Sequence, residues 1–139
     1  LFLSVTVLLF VLGVSLWQGL LLPMMLARSG VRVERDWGRS GNSGLYVLDV
    51  RLPGDLPVPA SEQRLYAEAT GSLARVEYAP VAWGRMLRVA QVLEAPEAVE
   101  GLVFATHQAI YPCLPGGQPL RTTRLAWLGL SDLAVQFGA

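Results

Sequence analysis

Hydrophobic and polar positions follow two different regimes along this chain, and the change falls at residue 27. Leu1 to Ala27 contains no Asp, Glu, Lys, Arg or His, and only Ser4, Thr6, Ser15 and Gln18 interrupt the apolar run. An α-helix rises ~1.5 Å per residue, so about 20 residues cross the roughly 30 Å hydrocarbon core of a bilayer. Leu1 to Leu22 is long enough, and the run predicts a single-pass transmembrane helix over residues 1–27. It exceeds the about 7–15 apolar residues of a signal peptide, and Pro23-Met24-Met25-Leu26-Ala27-Arg28 offers no small-residue cleavage pattern. Pro23 is expected to loosen the helix and Gly30 to cap its end.

Beyond the helix the period shortens. Val31-Arg32-Val33-Glu34-Arg35 alternates apolar and charged residues with period two, and Leu45 to Leu52 does the same. These segments predict two strands of a hairpin across the glycine-rich turn Gly38 to Gly44. Pro53, Pro57 and Pro59 make the next stretch a surface connection. From Glu62 to Arg75, followed by Val76, the apolar residues Leu65, Ala69, Leu73 and Val76 recur at helical spacing and predict a helix, weakened by Gly71. Trp83, Met86, Leu87, Ala90 and Leu93 form a second helical stripe, with a strand over Met86 to Leu93 as the competing reading. Pro96 is expected to stop that element. Leu102 to Tyr111 reads as a strand ending at Pro112, and Leu125 to Phe137 as one or two closing strands. The resulting organisation is a transmembrane helix over 1–27, a short juxtamembrane segment and turn over 28–44, and a small α+β, strand-rich, membrane-proximal domain over 45–139.

Composition narrows the function. Eleven basic residues balance eleven acidic ones, all of the basic residues are arginine, and all lie after residue 27 without a long charge run. A nucleic-acid partner is not expected, because phosphate binding needs clustered positive charge. Arg28, Arg32, Arg35 and Arg39 follow the helix and by the positive-inside rule pull the domain toward the cytoplasm. The architecture of one anchor and a small strand-rich domain instead favours the extracytoplasmic, periplasmic side. Arg28, Arg32 and Trp37 are candidates for contact with the membrane interface.

The inventory for catalysis is poor: one histidine, His107, one cysteine, Cys113, and no lysine. No intrachain disulfide can form. Glu94, Glu97 and Glu100 surround Pro96 as a dispersed acidic turn rather than a cation site. No phosphate-binding, dinucleotide or haem-attachment motif occurs. Hence no catalytic, metal or cofactor-binding residue is assigned, no cofactor is expected, and neither is a small-molecule substrate. Trp83 and Trp127 are expected in the core.

Within the apolar run, Gly13, Ser15 and Gly19 are small enough to let another helix approach, and Gln18 is a strong polar group that hydrocarbon would penalise unless a partner bonded it. These four are the candidate helix-packing residues. The expected function is that of a non-catalytic accessory subunit of a larger integral-membrane complex (respiratory, photosynthetic, transport or secretion), with the lipid bilayer and other membrane subunits as partners. The alternative is a pilin-like or envelope-assembly component that self-associates through its helix, and a membrane-anchored enzyme ranks last. An apolar N-terminal helix with a proline about 22 residues in, followed by a sheet domain, resembles type IV pilin-like proteins in architecture. Val5 stands where those proteins usually carry glutamate, and the resemblance extends no further.

Overall fold

The computed structural model describes residues 4–27, 30–41, 43–84, 87–114 and 118–131. Among the described residues one helix, α1 (Val5–Leu26), is followed by seven strands, β1 (Arg32–Arg39), β2 (Tyr46–Arg51), β3 (Glu62–Ala67), β4 (Leu73–Tyr78), β5 (Val89–Val99), β6 (Leu102–Pro112) and β7 (Ala126–Gly129). A 3-10 turn, Val81–Trp83, lies between β4 and β5. The strands pair antiparallel in chain order, β1 beside β2 through to β7, so the sheet is a simple meander with β1 and β7 as its edges.

α1 starts at Ser4, whose backbone is extended and whose Oγ accepts the Val7 N–H at 3.2 Å. It runs through Pro23 and ends at Ala27, and Gly30 takes a left-handed φ of 96° just beyond. One side of α1 lies on the sheet. Val11 and Leu22 join a core with Val50, Leu65, Val76, Tyr78, Trp83, Val89, Leu93 and Ile110. The 22-residue helix has a mean hydropathy of 2.2 over its most apolar window and is long enough to cross a membrane.

The two helices expected after residue 61 are not formed. Glu62 to Val76 is the hairpin β3–β4, turned at Gly71, which has φ 91° and donates its N–H to the Glu68 carbonyl. A glycine able to adopt positive φ at the turn outweighs the coincidence that Leu65, Ala69, Leu73 and Val76 also suit a helix. The second stripe resolves into the 3-10 turn and β5, so the strand reading is the one realised, starting at Val89. Pro96 does not end β5, which continues to Val99 and turns at Glu100-Gly101, both with positive φ (52° and 80°) as a type I′ turn requires. β4 pairs only with Val89 to Val92, so β5 is a free edge on that side at Pro96, where a missing donor costs little. The β1–β2 hairpin and the end of β6 at Pro112 agree with the pattern.

Opposite α1, register aligns a cross-strand row, Arg35, Asp49, Arg64 and Glu77, on four successive strands. Alternating charge in such a row is favourable. Arg64 donates to both Asp49 carboxylate oxygens at 2.7 and 3.1 Å, and Trp37 donates its indole N–H to Asp49 at 2.9 Å. Arg64, more than Trp37, holds the Asp49 carboxyl below its ordinary pKa. Because the folded value lies below the unfolded one, this stabilisation is present above the unfolded pKa and lost as pH falls through the folded value. Arg64→Gln is therefore expected to lower the thermal midpoint at neutral pH and flatten its fall between about pH 5 and pH 2, measured by circular dichroism melts across that range.

Candidate functional site

No cluster of three or more His, Cys, Asp or Glu side chains able to hold a metal occurs among the described residues. His107 is exposed on β6, next to Thr106 Oγ1 at 3.2 Å and paired in register with Glu94. Cys113 is half-buried, and burial, with the nearby Glu77 carboxylate, pushes its thiol up to about 11. A thiol with that pKa is overwhelmingly protonated at neutral pH and is a poor nucleophile. Trp127 is exposed rather than in the core, because β7 turns its odd position outward, and Arg124 lies over its ring. Trp83 is buried as expected.

The unusual chemistry lies beneath α1. One cross-strand row facing the helix reads Leu48, Leu65, Val76, Gln91, Ile110 and Ala126. Gln91 is the sole polar member of that row and is fully buried. Its Nε2 donates to the helix carbonyl of Ser15 at 2.8 Å and to Gln108 Oε1, and its Oε1 accepts from Tyr78 OH at 2.9 Å and from Gln18 Nε2 at 3.5 Å. Gln108 Nε2 donates in turn to the Leu16 carbonyl at 3.0 Å. Gln63 Nε2 donates to Gln18 Oε1 and to the Ala60 carbonyl at 2.8 Å. Four glutamines and a tyrosine thus form one relay joining α1 to β3, β4, β5 and β6. Burial without a bonded partner would cost about 1–3 kcal/mol per group, so the relay fixes the helix in rotation and register.

The expected helix-packing residues divide between two sides. Ser15, Gln18 and Gly19 are buried against the chain's own sheet. Gly19 is required there, since a Cβ would overlap Gln108 Oε1 and Gln91 Nε2. Gly13 faces away, and a Cβ on it would meet nothing within 4 Å. It lies on a face with Leu9, Phe10, Trp17 and Met24, all exposed. Among the expected interface residues, Arg32 is exposed at the start of β1, and Trp37 lies on the sheet under Arg35, whose guanidinium carbon is 3.5 Å from the ring centroid. Arg28 lies outside the described residues.

An apolar groove of about 260 Å³ runs between the end of α1 (Gly19, Leu22, Leu26) and Leu73, Leu93 and Val103. Two more open depressions on the sheet are lined by Asp49, Arg64 and Arg88 and by His107, Arg124 and Trp127. None brings together a nucleophile, a base and an orienting group.

Comparison with protein-family models, curated proteins and solved structures finds no match for this chain.

The relay glutamines escape a reading for amphipathic periods because such a reading sorts residues only into apolar and polar. The usable signal was Gln91 inside Val89-Ala90-Gln91-Val92-Leu93, a polar residue at the centre of an apolar strand. Replacing Gln91 by Leu leaves Tyr78 OH, Gln18 Nε2 and Gln108 Oε1 without that partner and is expected to cost about 3 kcal/mol or more, against about 1–3 kcal/mol for Gln18→Leu. Urea unfolding of the two variants beside the parent chain measures both losses.

Proposed function

We propose that this chain is a non-catalytic structural component that assembles through the outward face of α1, pairing with further copies of itself. The observation that carries this reading is the division of the helix. Its polar stripe is satisfied internally by Gln63, Gln91 and Gln108, while Phe10, Trp17 and Met24 stand exposed on the other side. A helix apolar all round is stable only when surrounded, and contiguous exposed apolar area marks an interaction site. The weakness of the nucleophile inventory, with Cys113 raised to about 11, supports a role without catalysis.

A second reading keeps the chain as an accessory subunit of a larger integral-membrane complex, single-pass and with its sheet on the extracytoplasmic side. The length and hydropathy of α1 favour it. Spanning and docking compete, however. The sheet bonds α1 at Ser15, Leu16 and Gln18, midway along the helix, and charged groups such as Asp49 and Arg64 on the same sheet are excluded from hydrocarbon. Crossing the bilayer therefore requires α1 to leave the sheet, exposing the glutamines and the apolar face beneath them. Self-association needs no such rearrangement.

Two differently tagged copies of the full chain, co-expressed, cross-linked in the cells and then extracted in mild detergent, discriminate the readings. Each tag is expected to retrieve the other in comparable amounts. Recovery of one tagged copy within a larger membrane assembly would replace the first reading by the second, and recovery of a free monomer would sink both.

A further inference from the structure

The outward face of α1 is patterned, not merely apolar. Phe10, Trp17 and Met24 recur every seven residues as one row of large side chains, and Thr6, Gly13 and Leu20 recur every seven residues as a row of smaller ones between them. All six are exposed except Leu20, which is half-buried. Alternating steps of three and four residues are the spacing of a helix–helix seam. Gly13 is its low point: the space above its Cα is open, and Phe10 and Trp17 stand on either side of it.

From this pattern we propose that two copies of the chain pair antiparallel through α1, with Trp17 of each copy seated over Gly13 of the other. The proposal rests on the reading that the chain self-associates through this face and adds the geometry of the pair. In a parallel pair every position meets itself, so Trp17 would oppose Trp17 and Gly13 would oppose Gly13, with large side chains colliding beside a void. Both errors are costly in a packed interface. An antiparallel pair centred near Ser15 places Trp17 opposite Gly13, Phe10 opposite Leu20 and Met24 opposite Thr6. Each contact matches a larger residue with a smaller one, and the two-fold axis makes the surface complementary to itself.

Leu9, Phe10, Trp17 and Met24 remain 64%, 66%, 52% and 49% exposed. Taking a whole large side chain as on the order of 200 Å², these four present roughly 450 Å², before the seam residues between them are added. A standard interface buries about 800 Å² per partner, so the pair is expected to be reversible and concentration-dependent. The sheets then lie on the two outer flanks, and both sides of α1 become interior. That arrangement accounts for an uncharged helix without requiring lipid.

The test uses the full chain in the cells that make it, with Cys113→Ser removing the native thiol. One tagged copy carries Gly13→Cys and a second, differently tagged copy carries Trp17→Cys, and mild oxidation traps neighbouring thiols. The expected product is the Gly13-to-Trp17 cross-link, dominant over links between identical positions. Dominant same-position links would overturn the antiparallel geometry while leaving self-association standing, whereas no copy-to-copy link in any combination would overturn self-association itself. Gly13→Leu supplies the second readout, because a Cβ at this position meets nothing within 4 Å in its own copy and the added side chain enters the seam. Sedimentation equilibrium of the purified chain is expected to show dimerisation weakened at least tenfold, with the melting temperature of the dilute, monomeric chain not lowered. An undiminished dimer would overturn the seat over Gly13.

Discussion

The fold depends on how an uncharged helix is held on a sheet. Apolar contact alone is non-directional and would let α1 rotate or slide over Val50, Leu65, Val76 and Ile110 at little cost. The amide relay removes that freedom. Gln91 and Gln108 reach the helix backbone at Ser15 and Leu16, and Gln18 reaches back to Gln91 and Gln63. Each of these groups is buried, so any other rotation or register leaves several unbonded. Specificity of docking comes from these bonds, and most of the driving force from the apolar surface around them.

Once that orientation is fixed, the remaining features follow in order. Gly19 must lack a side chain because the relay occupies the space beside it. Ser15 and Leu22 fall on the covered side, whereas Phe10, Gly13, Trp17 and Met24 fall on the other, and their exposure is a consequence of the docking. The far face of the sheet carries the aligned row Arg35, Asp49, Arg64 and Glu77, in which Asp49 is bonded to Arg64 while the buried Glu77 is paired with Arg75 and Arg88. The molecule therefore has one charged side and one apolar side, with the relay between them.

Much of this order was legible in the residues. The apolar run located α1, the period-two alternation of Val31 to Arg35 and Leu45 to Leu52 located the first hairpin, and Pro112 marked the end of β6. Gln18 stood out as a group needing a partner, but its sequence context pointed to another helix, and the partners are Gln63 and Gln91, 45 and 73 residues away. Tertiary pairing at that separation leaves no local trace. The misreading of Glu62 to Val76 has a different origin: the three-residue step from Leu73 to Val76 suits a helix and breaks a strand's period of two, but a bulge in the β3–β4 pairing at that step and the positive φ of the Gly71 turn reconcile it with a hairpin. Pro96 misled because a strand's tolerance for proline depends on whether its neighbour is paired there, which is a property of the sheet.

The docking of α1 on its own sheet is most directly tested by the distance between them in the cell's own membranes and in solution. Spin labels at Gly13 on α1 and His107 on β6, in a Cys113→Ser chain diluted with unlabelled copies, report that distance by pulsed electron resonance. A single narrow distribution, the same in both settings, is the predicted result. A second, longer distribution appearing only in membranes would mean that the helix leaves the sheet to enter the bilayer, and would contradict the account.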